Sequence, residues 1–221
     1  VPRQKRLLVT AGPTREMLDP VRFLSNLSTG EMGYEVARAA RRRGYLVTLV
    51  SGPTAIPAPQ SIRFIPVVSA RDMKAVCDRE FPKHDALVMT AAVCDFTAVT
   101  YQSQKIHRTR TKRILLKQTP DIVAGLARKK GKRTIIGFCL ETEDWIKRGR
   151  AKLRRKGLDG IVANFYGKGH VPFGRRKITV ALVAKAGPPV LLKNYSKPRM
   201  ALSLLGWLES FDKNRFRKRQ K

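Results

Sequence analysis

"RFLSNLSTGEMGYEVARAARRRGYLVTLVSGPT", residues 22–54, passes from a polar, glycine-punctuated loop through a helix into an apolar strand. Met32, Val36, Ala37 and Ala40 share one helical face, and Arg41, Arg42 and Arg43 before Gly44 suit a helix C-terminus by charge and by conformation. "RLLVTAG" (6–12) ahead of the stretch and "YLVTLVSGP" (45–53) at its end read as buried strands.

The alternation continues outward. Strands at "RFIPVV" (63–68), "DALVMTAAV" (85–93), "RILLKQ" (113–118), "TIIGFC" (134–139) and "GIVANF" (160–165) are separated by helices. Those helices fall at 69–81 with Ser69 as cap, at "PDIVAGLARKK" (120–130) with Pro120 in the first turn, and at 143–156. Strands spaced by helices of this length give an α/β protein, a Rossmann-like parallel sheet with helices on both faces. From about 165 the pattern changes. "KITVALV" and "PPVLLKNY" predict a C-terminal β-hairpin extension within 165–195, "KPRMALSLLGWLESF" a closing helix, and 212–221 a solvated basic tail. No repeat or long linker divides 1–221, which reads as a single domain.

At 221 residues and 43% hydrophobic content the chain can bury one full core. Its charge is the unusual number: 46 Lys+Arg against 16 Asp+Glu, a formal +30. Such an excess steers a protein toward polyanions, with nucleic acid first, an anionic membrane surface second and small phosphorylated substrates third. The basic residues gather in "RTRTKR" (108–113), "ARKKGKR" (127–133), "KRGRAKLRRK" (147–156), "GRRK" (174–177) and the tail. No run of about 18 apolar residues spans a bilayer, so a soluble, cytoplasmic protein is expected. The chain begins at Val1, and an organellar address follows if a targeting segment was removed ahead of it. Cys77, Cys94 and Cys139 are odd in number and lack C-x-x-C spacing, which argues for reduced, buried thiols over a disulfide framework or a zinc site.

In an open parallel sheet ligands sit beyond the carboxyl ends of the strands, where helix N-termini offer free N–H groups. "TAGPTRE" (10–16), "SNLSTGEMG" (25–33) and "TAAVCDF" (90–96) answer that description. Ser28, Thr29 and Gly30, with Gly33 one turn on, form either a phosphate cradle or a helix cap with two packing glycines, Gly30 and Gly33. The dinucleotide G-x-G-x-x-G and the Walker G-x-x-x-x-G-K-[ST] are both absent, which weighs against a flavin- or dinucleotide-binding oxidoreductase. His84, His107 and His170 are isolated in sequence and support no Ser–His–Asp arrangement. Asp95, after an apolar strand, reads either as a nucleotide or metal contact or as a turn cap; Lys105 by itself reads as a solvated lysine.

Read together, "VTAGPTREMLDPVRFLSN", "STGEMGYEVA", "VTLVSGPT", "AAVCDF", "QKIH", "TPDIVAGL", "GFCLET" and "KGLDGIVAN" resemble, in order and spacing, the phosphopantothenoylcysteine synthetase family, bacterial type, over roughly residues 6–164. That resemblance implies a ligase of coenzyme A biosynthesis. It would activate the carboxylate of 4'-phosphopantothenate with CTP rather than ATP, release pyrophosphate with the help of Mg²⁺, and pass the acyl group to cysteine. It further implies catalytic roles for Asn26, Lys105 and Arg22, with Asn26 binding the carbonyl of the acyl intermediate and Lys105 serving the triphosphate. The implied nucleotide pocket is Met89, Thr90, Ala91, Asp95, Lys105, Pro120, Asp121, Ile122, Val123, Phe138, Lys152 and Lys156. The implied phosphopantothenate pocket is Asn26, Ser28, Thr29, Gly30 and Ala92, and a homodimer follows from the same likeness, with the 165–195 hairpin as its dimerisation extension and expected interface. The metal's ligands stay open.

Three departures stand beside the resemblance. Glu31 occupies a place where the family commonly has lysine, "KIHR" replaces "KIKK", and "VANFYGKGHVPFGRRKITV" has lost two acidic positions and gained basic ones. These bear on substrate affinity and dimer geometry. Combined with +30, they define an alternative function: a synthetase-fold protein recruited through its basic surface to RNA or a ribonucleoprotein, for example an organellar ribosome.

Overall fold

This computed structural model describes residues 3–108 and 113–217, with side chains to Phe211. The run at 108–113 lies largely outside the described residues, as do 218–221 of the tail. In chain order the first elements are β1 (Arg6–Ala11), β2 (Arg15–Asp19), β3 (Arg22–Ser25), α1 (Glu31–Arg42), β4 (Leu46–Ser51), β5 (Arg63–Pro66) and α2 (Ala70–Glu80). There follow β6 (Ala86–Met89), β7 (Phe96–Ala98), β8 (Leu116–Gln118), α3 (Ile122–Arg128), β9 (Thr134–Glu141) and α4 (Trp145–Lys156). The last are β10 (Gly160–Phe165), β11 (Ile178–Ala184), β12 (Val190–Tyr195) and α5 (Lys197–Arg217).

One eight-stranded sheet carries the order β12-β11-β10-β9-β6-β1-β4-β5. From β10 to β5 the pairings are parallel, and β11 and β12 continue the sheet antiparallel as a hairpin on its edge. The winding reverses between β1 and β6, which leaves a crevice at their carboxyl ends. Successive side chains alternate between two cores. Leu7, Val9 and Ala11 pack with Tyr34 and Ala37 of α1 and Leu204 of α5, whereas Leu8 packs with Met73 of α2, Leu126 of α3 and Leu153 of α4. Each fully buried leucine contributes on the order of 2 kcal/mol. The α/β, Rossmann-like expectation is borne out.

Ser69 caps α2 in a reciprocal box: its Oγ accepts from Asp72 N–H at 3.1 Å, and the Asp72 carboxylate accepts from Ser69 N–H at 2.9 Å. Two expectations need correction. "RILLKQ" is not a strand of the main sheet; only Leu116–Gln118 is extended, paired antiparallel with β7 in a separate ribbon. Leu115 is 77% exposed there, because β6 already has β9 as its parallel neighbour and no place between them is left. Pro120 precedes α3 rather than opening it, since Asp121 is the N-cap and accepts from Ala124 N–H at 3.1 Å. The basic tail is helical as far as Arg217, continuing α5.

Candidate functional site

The loops leaving β1 and β6 are stitched together across the crevice. Ala92 N–H donates to the Gly12 carbonyl at 2.9 Å, Cys94 N–H to Thr14 Oγ1 at 2.9 Å, and Thr90 Oγ1 to the Thr10 carbonyl at 2.6 Å. Over this seam sits the first turn of α1. A Cβ on Gly33 would lie 2.5 Å from both Ala11 Cβ and Thr90 Oγ1, so only glycine lets the helix come so close. Gly30 is the N-cap at φ +80°, and no side chain caps the helix. Ser28 Oγ instead accepts from Gly30 N–H at 3.2 Å. The open reading of this loop thus moves away from a hydroxyl cap, and the positive end of α1 is turned toward the crevice.

Two cavities adjoin there. The larger, about 910 Å³, lies beyond β6 and β9 against α3 and α4; Met89, Ala91, Asp95, Pro120, Asp121, Ile122, Val123, Lys152 and Lys156 line it, with Asn26 at its edge. The smaller, about 160 Å³, lies at the start of α1 and takes Thr29, Gly30 and Thr90. Ser28, Ala92, Phe138, Cys139, Leu140 and Phe173 line both and form their common wall. The residues singled out from sequence therefore converge, except Arg22 and Lys105, which line neither cavity.

The electrostatics of the larger cavity is organised in pairs. Lys152 Nζ lies 2.6 Å from Glu141 Oε1, and Lys156 Nζ 3.0 Å from Asp121 Oδ2. Position i, i+4 on α4 puts both lysines on one face, toward the cavity. Glu141, at the carboxyl end of β9, was missed by the sequence reading although it stands in the quoted "GFCLET". Asp95 is exposed on the cavity wall. Among the described residues no cluster of three or more His, Cys, Asp or Glu side chains could hold a metal. A single open carboxylate such as Asp95 fits Mg²⁺ held mainly by substrate phosphates, a common mode for that ion.

Asn26 is engaged with the backbone of the loop after β6. Its Nδ2 donates to the Ala92 carbonyl at 3.0 Å and to the Val93 carbonyl at 3.2 Å, which occupies both amide hydrogens. Oδ1 remains, an acceptor suited to an N–H rather than to a carbonyl oxygen. Cys139, on the common wall, is kept unreactive: burial pushes its thiol up to about 11 against the opposing pull of Lys152.

Arg22 is engaged outside the cavities. Its Nη1 donates to Asp19 Oδ2 and to the Ile106 carbonyl, each at 2.7 Å, and Ile106 N–H returns to Asp19 Oδ2 at 3.0 Å. Lys105, next to Ile106, is exposed. Arg22 thus ties the start of β3 to the loop that carries Lys105. Asp19, which sequence reasoning passed over inside "EMLDPVRF", is the fully buried anchor of that arrangement.

A Rossmann-like sheet with a two-part cavity at its switch point, one part faced by lysines and the other by a helix start, places this chain among the doubly wound α/β proteins with a ligand-sized cleft at the carboxyl ends of the strands. Residues 3–211 match the model of the DNA/pantothenate metabolism flavoprotein C-terminal domain, and the chain belongs to that family. It is 39% identical over 211 residues to the coenzyme A biosynthesis bifunctional protein CoaBC of Bacillus subtilis, covering 95% of this chain and 52% of that protein. To the CoaBC protein of Escherichia coli it is 42% identical over 163 residues, covering 72% of this chain and 40% of that protein. The chain thus spans about half the length, or less, of these curated relatives. A crystal structure of the C-terminal domain of a CoaBC protein superposes with a TM-score of 0.81 at 34% identity, covering 95% of this chain and 96% of that one. The fold is shared as well by a Cab2 variant in complex with phosphopantothenate-cysteine, at a TM-score of 0.74 and 18% identity, covering 95% of this chain and 89% of that one. No helix among the described residues is long and apolar enough to cross a membrane.

Proposed function

We propose that the chain is a phosphopantothenate–cysteine ligase, with the nucleotide in the larger cavity and the phosphorylated acid in the smaller one. The observation that carries this is the wall the two cavities share, which supports bringing a carboxylate from one side against an α-phosphate from the other. In the first half-reaction a carboxylate oxygen attacks the α-phosphorus, a P–O bond to pyrophosphate breaks, and an acyl-nucleotide forms. In the second, the cysteine amine attacks the acyl carbon, the C–O bond to the nucleoside monophosphate breaks, and the ammonium proton is lost to solvent. Lys152 and Lys156 supply positive charge for the triphosphate, released from Glu141 and Asp121 as phosphate oxygens replace those carboxylates. Lys105, on its clasped loop, adds charge at the leaving pyrophosphate. Asn26 Oδ1 accepts from the attacking amine and orients it. Mg²⁺, when bound, neutralises phosphate charge beside Asp95.

CTP is the proposed nucleotide on family resemblance. The decisive experiment is pyrophosphate release from CTP and, in parallel, ATP, with Mg²⁺ and 4'-phosphopantothenate, followed by cysteine. Release that requires the acid, then cysteine-dependent nucleoside monophosphate, is the expected result; no release with either nucleotide overturns the reading. A homodimer is part of the proposal, supported by exposed apolar side chains gathered on the two ribbons and the segments beside them: Phe23, Leu27, Phe96, Tyr101 and Leu115. The RNA-recruited alternative draws on the +30 charge and on exposed Lys147, Arg148, Arg154 and Arg155 of α4. Its own prediction is tight polyanion binding with no pyrophosphate release.

A further inference from the structure

Lys197 opens α5 yet is only 5% exposed. Its ammonium lies 3.3 Å from Glu31 Oε2 in the first turn of α1 and donates to the Gly174 carbonyl, in the segment between β10 and β11. Lys197 and Glu31 both line the smaller cavity, as do Pro172 and Phe173 beside Gly174. Three chain segments, far apart in sequence, are thus tied by one buried cation at the rim of one pocket. Burial lowers the pKa of this lysine, and the Glu31 carboxylate opposes that change. Glu31 unpaired would repel an anion entering the pocket, and Gly174 untied would free Phe173 from the common wall.

We propose that Lys197 is a positioning and specificity residue of the acid pocket, neutralising Glu31 and anchoring the 166–177 segment so that the smaller cavity accepts a phosphorylated acid. The inference rests on the ligase reading. It requires the effect of Lys197 to fall on the substrate's phosphate and not on the nucleotide.

The test is calorimetric binding of 4'-phosphopantothenate, of pantothenate lacking the phosphate, and of CTP, to the full chain and three variants. Lys197→Met leaves Glu31 half-buried and unpaired, and is expected to weaken 4'-phosphopantothenate at least about tenfold while CTP changes less than about threefold. Pantothenate should be affected far less than its phosphorylated form. Glu31→Gln combined with Lys197→Met removes both charges and should bind 4'-phosphopantothenate more tightly than Lys197→Met alone. A double variant as weak as the single, or parallel loss of CTP, overturns the inference. Should Lys197→Met fail to fold, Glu31→Gln decides alone: it is expected to bind the phosphorylated acid as tightly as wild type or better, and a tenfold loss overturns the proposal. Wild-type protein that binds no 4'-phosphopantothenate overturns the ligase reading and this inference with it. Wild type that binds it, with Lys197→Met indistinguishable, overturns this inference alone.

Discussion

The Asp19 carboxylate and the Arg22 guanidinium meet at 2.7 Å, and each also holds the backbone of Ile106, one through its N–H and the other through its carbonyl. Asp19 in addition accepts from the N–H groups of Val21 and Arg22, both at 2.8 Å. A turn between two short strands is thereby locked to the loop that carries Lys105.

That lock has a pH signature. Burial raises the Asp19 pKa, but the N–H groups of Ile106 and Val21, then Arg22, outweigh it and hold the carboxyl at about 2, against an ordinary 3.8. Its contribution to stability is therefore complete above 3.8 and fades as the pH falls toward 2. Urea unfolding of wild type and Asp19→Asn across this range should show a gap that is widest at neutral pH and narrows on acidification. Two curves that stay parallel would show that the carboxylate charge is immaterial to the clasp.

The two half-reactions separate Asn26 from Lys105. Asn26→Asp sets a carboxylate against the Ala92 and Val93 carbonyls and removes the neutral acceptor offered to the amine. Transfer to cysteine should fall by about a hundredfold or more while pyrophosphate release persists. Lys105→Ala should depress both. Quenched-flow measurement of pyrophosphate and nucleoside monophosphate checks this, and equal loss at both steps for Asn26→Asp removes its assigned role.

How much of this was legible in the sequence depends on the range of the interaction. Helix α1 and strand β10 were readable because apolar periodicity and the Arg41–Gly44 stop signal are local. The β2–β3 ribbon escaped notice: "REMLD" buries Glu16 and Asp19 among its apolar residues, so its polar pattern does not resemble a strand. Glu16 accepts from the Ala70 N–H at 2.8 Å, a partner 54 positions away. Lys197 and Glu31 are 166 positions apart; Glu31 stood out in the sequence as a replacement for lysine, but nothing local joined it to Lys197. Family likeness supplied the pocket's membership, while the pairings that set its charge needed the fold.

Cys139 tests whether the common wall is chemically silent. A thiolate there would capture an activated acyl group, and a thiol held up to about 11 does not ionise at neutral pH. Cys77, pushed up to about 12, and Cys94, also raised, share that state. Mass spectrometry after brief iodoacetamide treatment at neutral pH should find all three unmodified in folded protein and modified in urea. Rapid folded-state labelling of Cys139 would mean that the wall opens. Cys139→Ala should keep both half-reactions, since the side chain acts only as filler.

Gly33 tests the spacing of helix and seam. Ala11 Cβ and Thr90 Oγ1 both lie 2.5 Å from the place a methyl group would take at this position, so Gly33→Ala must lift α1 from the crevice, at a cost of about 1–3 kcal/mol. Gly44→Ala is the control: nothing lies within 4 Å, and only its φ of +84° opposes the change, for roughly 1 kcal/mol. Urea midpoints should rank wild type, Gly44→Ala, Gly33→Ala, with substrate binding weakened only in the last. A Gly33→Ala protein of wild-type stability and affinity would show that the contact is elastic.

Salt separates self-association from polyanion binding. Leu27 is 75% and Leu115 77% exposed beside the two ribbons, an apolar surface whose burial favours a second copy, while two chains of +30 repel one another. Added salt screens that repulsion and should tighten the dimer, whereas it lowers the gain from counterion release on binding nucleic acid and should loosen that complex. Sedimentation equilibrium at rising salt should therefore shift the chain toward dimer, and Leu115→Glu should return it to monomer without loss of fold. RNA retention measured on the same samples should decline over the same salt range. Dimerisation that weakens with salt, or survives Leu115→Glu unchanged, places the interface elsewhere on the molecule.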